Sequence, residues 1–259
     1  MRCGSQNIQC QLIADSCELV AAPAASQPQG LSGLSGMRLF VIGANGRTGR
    51  AILDLAYTRG HQITAFVRSP EKLERARLRL TSAGLAGGTG SLTVVRGNPR
   101  QPESIADALP GHDAVLSAIG PHPREALRPS TLVTDCARAT VDAMEASGIA
   151  RLAIVSAAVL FPEKGLYFAF FRWLTTHHRR DLLAMEHLVQ ESGLEWTIAR
   201  PPRLTASPDA SFLAVRDALP TGSRAMSFRS VAAFMLDAVE RRSHVAEVVG
   251  LATGMGKAA

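Results

Sequence analysis

Met37-Arg-Leu-Phe-Val-Ile-Gly-Ala-Asn-Gly-Arg-Thr-Gly49 is the stretch that decides the reading of this chain. Its apolar run, Leu39 to Ile42, stops at Gly43. Two more glycines follow at intervals of three, Gly46 and Gly49, and a helix-like stretch from Arg50 to Arg59 begins at once. A strand–turn–helix that holds a pyrophosphate needs this order. Gly43 permits the tight turn out of the strand, Gly46 lets the backbone approach phosphates with no Cβ in the way, and Gly49 allows close packing of helix on strand. The first helical turn, Arg47 and Thr48 included, aims free N–H groups and the positive end of the helix dipole at the anion. Three spaced glycines alone are a weak signal, and the strand before and helix after make this one strong.

Downstream, short apolar strands alternate with amphipathic helices. The strands are expected at Arg38–Ile42, Gln62–Val67, Leu92–Val95, Ala114–Ala118, Leu152–Ser156, Trp196–Ala199 and Glu247–Leu251, and the helices near 47–59, 70–80, 102–109, 130–147, 180–192 and 229–241. Near-continuous apolar strands separated by helices imply an α/β fold, a doubly wound parallel sheet covered on both faces. With no internal repeat and no linker after residue 37, residues 37–259 read as a single domain. Ala83 to Gly90 reads as a glycine-rich loop. Residues 1–36 differ: Ala21 to Gly36 is mostly Ala, Ser, Pro, Gln and Gly, a composition that builds no core and reads as a disordered extension. Asp15 and Glu18 interrupt the one apolar stretch that could serve as a signal peptide. Met37, directly before the first strand, is a candidate natural start.

In such folds the end of the second strand reads the adenosine ribose, an acidic residue favouring NAD and a basic one neutralising the 2′-phosphate of NADP. Here Ile63-Thr-Ala-Phe-Val67 ends in Arg68, Pro70 suits the first turn of the next helix, and Lys72 lies four residues past Arg68. No Asp or Glu stands at that strand end, so NADP is the expected cofactor. Two further strand ends should line the cleft: Asn98 and Pro99 beside the adenine, and Ala118, Ile119 and Gly120, whose small residues let a dinucleotide pass close to the backbone. Each of these segments taken alone also suits an ordinary strand-to-loop turn.

The 259 residues are 46% hydrophobic and 19% charged, and no stretch approaches the roughly 18 consecutive apolar residues of a membrane span. A net charge of +6 raises the question of nucleic acid, but the basic residues are scattered and the densest run, His177 to Arg180, is short. RNA-binding aromatic motifs and helix-turn-helix signatures are absent. A basic surface that favours an anionic cofactor or substrate is the better reading. Three of the four cysteines, Cys3, Cys10 and Cys17, match no metal spacing, and Cys136 falls on the apolar face of a helix as a small buried hydrophobe. A cytoplasmic monomer or homodimer acting on a small molecule, with no metal, nucleic-acid or membrane partner, is the expectation.

Gly43-Ala-Asn-Gly-Arg-Thr-Gly49, Val67-Arg68, Glu191-Ser-Gly-Leu-Glu-Trp-Thr197 and Arg200-Pro-Pro-Arg-Leu-Thr205 together resemble the atypical short-chain dehydrogenases. The likeness is to their NmrA-like, NAD(P)H-binding branch, which includes flavin reductase/biliverdin-IXβ reductase, and it covers about residues 37–251. It implies an NADP-binding Rossmann fold and reduction of flavins, tetrapyrroles or quinones. Carried over by position, Gly43, Asn45, Gly46, Thr48, Arg68 and Gly120 contact the cofactor, Ser156 stands beside the nicotinamide, and Pro201 and Pro202 form the wall under that ring. Arg203 replaces a histidine that faces the substrate in the biliverdin-reducing relative. That departure argues against tetrapyrroles and for an anionic or carbonyl acceptor.

Standard short-chain dehydrogenases pair a Tyr with a Lys four residues on, the lysine lowering the phenol pKa. Of the two tyrosines here, Tyr57 belongs to the first helix and Tyr167 is followed at the fourth place by Phe171, so that dyad is absent. Chemistry would then rest on hydride from the cofactor, with Ser156, water held by Arg203 or solvent as proton source. Ser156 reads equally as a strand-end hydroxyl bonded to backbone. Tyr167, Phe168, Phe170, Phe171 and Trp173 could cap a planar substrate, or form core or an oligomer contact. His177 and His178 read as solvated loop residues. Two function classes follow: an NADPH-dependent oxidoreductase of small planar acceptors, or a non-catalytic NADP-sensing regulator. Epimerisation of a nucleotide-linked sugar is the weak third, since it normally uses the missing tyrosine.

Overall fold

Leu39, Phe40, Val41 and Ile42 are all fully buried, as a central strand covered on both faces requires. The computed structural model describes residues 36–73, 89–121, 128–161, 176–221 and 225–254. In chain order the elements are β1 (Arg38–Ile42), α1 (Arg47–Thr58), β2 (Gln62–Val67), β3 (Ser91–Arg96), α2 (Pro102–Ala106), β4 (Ala114–Ser117), α3 (Leu132–Ser147), β5 (Arg151–Val155), α4 (Thr176–Glu191) and β6 (Glu195–Arg200). There follow β7 (Arg203–Thr205), β8 (Leu213–Arg216), β9 (Ala225–Ser227), α5 (Phe228–Glu240) and β10 (Glu247–Ala252).

Eight strands form one sheet in the order β3-β2-β1-β4-β5-β6-β10-β8, while β7 and β9 pair separately. All pairings in the large sheet are parallel except that of β8 with β10. The order runs outward from β1 to β3, then returns to β4 on the other side. A doubly wound sheet has its crevice where the order reverses, here between β1 and β4. Register brings the strand ends level: Ile42 stands opposite Phe66 and Ser117, and Val155 opposite Ala199. Gly43, Val67, Ala118 and Ser156 therefore emerge along one edge.

One face is packed by α1 and α5, through Ile52, Leu53, Val231 and Phe234. The other is packed by α2, α3 and α4, through Ile105, Val133, Met144, Leu182 and Met185. Burying each such Leu, Ile, Val, Met or Phe side chain stabilises the fold by about 1.5–3 kcal/mol before entropy is counted. At the amino ends of the strands Arg151 is buried; its two terminal nitrogens donate to Glu195 O (2.6 Å), Thr197 Oγ1 (2.8 Å), Ala238 O (2.8 Å) and Ser243 O (2.9 Å).

All seven expected strands form, with ends shifted by a residue at most. Three went unread, β7, β8 and β9, because runs of three or four residues, with Arg203 and Thr205 in β7, Arg216 in β8 and Ser227 in β9, have too little apolar periodicity to register. Helix α4 begins at Thr176, so His177 and His178 lie in a helix and not in the loop expected for them. His177 is exposed and His178 half-buried. Residues 1–35, most of the expected helix at 70–80, most of the 83–90 loop and the aromatic segment 166–174 lie outside the described residues.

Candidate cofactor site

Gly43 takes a φ of +84°, open to glycine at little strain, and a Cβ there would stand 2.7 Å from the Ala118 carbonyl oxygen. A Cβ on Gly49 would fall 2.3 Å from Gly43 O, so the helix presses directly on the turn. Gly46 differs: its Cβ would meet Gly43 O at 3.2 Å, a contact the protein itself could accommodate with a small shift. The intramolecular demand for glycine is strong at two of the three positions and weak at the middle one.

Helix α1 is left uncapped. Gly46 is extended, supplies no side-chain bond, and no acidic residue stands in the first turn. The first ladder bond runs from Arg50 N–H to Gly46 O at 2.9 Å, leaving the N–H groups of Arg47, Thr48 and Gly49 outside the ladder. Helix α3 is closed by contrast. Asp181, reaching across from α4, accepts from the N–H groups of Val133 and Thr134, both at 3.0 Å, and from Thr134 Oγ1 at 2.6 Å.

Between these elements lies a cleft lined by Gly43, Asn45 and Gly46 of the turn, Arg68 and Lys72 beyond β2, Asn98 and Pro99 beyond β3, and Ala118, Ile119 and Gly120 beyond β4. The structure thus brings together ten of the expected cofactor residues. Arg47, Thr48 and Gly49 stand behind the turn on α1, and Ser156 and Pro201 further along, at the ends of β5 and β6. Arg47 lays its guanidinium 5.0 Å over the Phe228 ring. Arg100, Leu132 and Cys136 also line the cleft, and sequence reasoning gave none of them this place. Burial pushes the Cys136 thiol up to about 11.

The lining holds three cations and no carboxylate. Arg100 sits 3.6 Å from Asp135 in an exposed pair, while Arg68 and Lys72 are exposed and pair with no carboxylate among the described residues. Asn45 donates from Nδ2 to Ser69 O (3.0 Å), which ties the turn to the β2 end, and its Oδ1 is buried with no partner. A buried acceptor left open is unusual in a folded protein and fits a ligand donor such as a ribose hydroxyl. Asn98 is occupied locally, its Oδ1 accepting from Arg100 N–H at 3.2 Å.

Along β5 and β6 the polar groups are buried and joined. Ser156 donates from Oγ to Glu186 Oε1, and Arg200 donates from Nε (3.0 Å) and Nη2 (2.5 Å) to the two oxygens of the same carboxylate. The Arg200 guanidinium lies 4.7 Å over the Phe161 ring. Glu186 is 3% exposed and came up in no sequence argument; the signal available was its place, with Asp181, among apolar residues of the α4 inner face. Pro201 is buried and accepts from Ala158 N–H at 2.8 Å, Pro202 is half-buried, and Arg203 is exposed on β7. Tyr57 lies at the end of α1 remote from the glycine turn. Burial pulls the half-buried His178 imidazole below its usual range against the opposing charge of Asp181. Among the described residues no cluster of His, Cys, Asp or Glu suits a metal ion, and no helix is long and apolar enough to cross a membrane.

The uncapped helix start, the open Asn45 acceptor and the Gly43 turn fit the phosphates and ribose of a dinucleotide. Comparison with known proteins agrees. A family described as NAD(P)H-binding matches residues 43–242. An uncharacterized sugar epimerase of Bacillus subtilis, YhfK, is 30% identical over 174 residues, which span 66% of this chain and 74% of that protein. Among solved structures, the oxidoreductase YlbE of Lactococcus lactis superposes with a TM-score of 0.67 at 20% identity, covering 84% of this chain and 91% of its own. A short-chain dehydrogenase/reductase of Veillonella parvula, in complex with NADP, gives 0.62 at 18% identity, covering 85% and 95%. The chain belongs to the NAD(P)H-binding family and is built on a Rossmann fold.

Proposed function

We propose that the protein is an NADPH-dependent reductase of small planar acceptors, a flavin, quinone or similar carbonyl compound. The observation that carries this reading is the charge of the cleft at the adenosine end: Arg68 and Lys72 with Arg100 beside them, and no carboxylate in the lining among the described residues. An NAD site needs an acceptor for the ribose 2′-hydroxyl there, whereas a 2′-phosphate needs cations. NADPH bound in this cleft would supply hydride at the end near β5 and β6. The chain's part is to seat the phosphates on the α1 terminus, hold the acceptor over the ring and exclude water. Arg203, exposed next to the Pro201–Pro202 wall, suits an anionic or carbonyl group on the acceptor. Flavins and quinones take hydride without a demanding general acid, which suits a site with no Tyr/Lys pair.

A second reading, a non-catalytic NADP-sensing regulator, draws support from Ser156, whose hydroxyl proton is already engaged by Glu186. One experiment separates the two. Steady NADPH oxidation on addition of flavin or quinone, strongly reduced in Arg203→Ala, supports the reductase. Tight NADP binding with no turnover across a broad acceptor panel would give the regulator the better case.

A further inference from the structure

We infer that Glu186 fixes the hydrogen-bond polarity of Ser156, making that hydroxyl an acceptor for the carboxamide N–H of a nicotinamide and not a proton donor to substrate; this rests on the dinucleotide reading of the cleft. Both oxygens of Glu186 are spoken for by Arg200, Oε1 from Nε and Oε2 from Nη2. A salt-bridged carboxylate offers acceptors only, so the hydrogen between Ser156 Oγ and Glu186 Oε1 belongs to the serine. Rotating that hydrogen away would take from Oε1 the second of its two donors with little water to replace it, since Glu186 is 3% and Ser156 7% exposed. What Ser156 keeps for any neighbour is its lone pairs.

Position supplies the neighbour. Ser156 directly follows β5, and β5 is paired to β4, whose end at Ala118–Gly120 lines the cleft. The Arg68, Lys72 and Asn98 cluster lies the other way, beyond β2 and β3. A dinucleotide with its adenosine at that cluster crosses the β1–β4 switch point and carries its nicotinamide toward β5. The carboxamide NH₂ is the one donor on that ring. Glu186 touches neither ring nor acceptor and acts as a positioning residue through Ser156.

Equilibrium binding to the full chain tests this with three ligands: NADP, its 3-acetylpyridine analogue, which replaces the carboxamide NH₂ by a methyl group, and 2′,5′-ADP, which has no nicotinamide. Wild type is expected to prefer NADP over the acetyl analogue by about tenfold, one well-placed hydrogen bond. Ser156→Ala should bring the two dinucleotides within about twofold of each other while 2′,5′-ADP binds as before. Glu186→Gln, which can offer an N–H to the serine, should also erase the preference. Should that variant fail to fold, wild type and Ser156→Ala decide alone. If wild type binds both dinucleotides equally, or Ser156→Ala weakens both equally, the assigned polarity is overturned. If 2′,5′-ADP and both dinucleotides all fail to bind, the cofactor reading itself is at fault and takes this inference with it.

Discussion

The two edges of the sheet treat their polar groups in opposite ways. Where the strands begin, charge is netted by the protein. Arg151 spreads four hydrogen bonds over backbone and Thr197, Arg59 meets Asp237 at 2.7 Å and Glu240 at 2.9 Å, and His61 bridges Met37 N–H and Glu240. Where β1, β2 and β4 end, polar groups are left without partners among the described residues: three N–H groups of α1, Asn45 Oδ1, Arg68 and Lys72. Both edges have the same strands and the same kinds of side chain. At one edge nearly all partners come from the chain, Arg151 Nε alone of the groups named going without one among the described residues; at the other several are withheld together, and clustered withheld partners mark a functional edge more surely than the presence of charge.

Substitutions should separate the edges. The largest effect is expected from Arg151→Met. Burial pulls this guanidinium down to about 10, still cationic at neutral pH, and its removal strands three carbonyls. A loss of about 3–5 kcal/mol in denaturant unfolding is expected, as for breaking a buried charged network. NADP affinity of the molecules that remain folded should be unchanged; a selective loss of affinity would blur the distinction between the edges. Next comes Gly43→Ala, where a positive φ costs about 1–2 kcal/mol and the overlap with Ala118 O adds about 1–3 kcal/mol. A lowered Tm together with lost NADP binding is expected, because stability and binding share that residue.

Arg68→Ala should leave the Tm of the free protein unmoved and weaken NADPH by about tenfold relative to NADH, roughly 1.4 kcal/mol. An unchanged NADPH/NADH ratio in paired titrations would remove the 2′-phosphate role. The smallest effect belongs to Glu240. Burial alone would raise its carboxyl, but hydrogen bonds and charge from His61 and Arg59 outweigh that and hold it below the ordinary 4.5. A carboxyl lowered on folding stabilises fully above its unfolded pKa and gives that up as pH falls through the folded one. Glu240→Gln should therefore lose about 1 kcal/mol near pH 7, and the deficit should shrink steadily as pH falls below the ordinary 4.5. A deficit that stayed constant as the pH was lowered until the carboxyl is protonated would show that packing, not charge, makes the contribution.

What the sequence could reveal follows the same division. The glycine turn, β1 and Arg68 are legible because strand, turn and helix start are contiguous, and their chemistry is set by neighbours within a few residues. Seven cleft residues, Arg68, Lys72, Asn98, Pro99, Ala118, Ile119 and Gly120, came from reading strand ends in order, a rule of topology that needs no coordinates; Gly43 and Gly46 came from the glycine turn and Asn45 from the family resemblance. Glu186 and Asp181 escaped because their partners lie 14 to 48 residues away and only the packing of α4 on its neighbours brings them together. Arg100 and Cys136 were visible as residues, yet nothing local says that the loop after β3 and the start of α3 face one cleft. The short strands β7 to β9 have too few residues for a period to appear, so no strand was expected around Arg203.

Asp181 has a further consequence. Helices α1 and α3 both begin at the cleft edge, and each could attract a phosphate. By stopping the α3 terminus with a carboxylate from α4, the fold leaves α1 as the open terminus of this pair and adds a negative charge beside the closed one. A ligand with two phosphates in tandem then has one way to lie, and the direction in which its two halves point is settled before either base or ring is recognised.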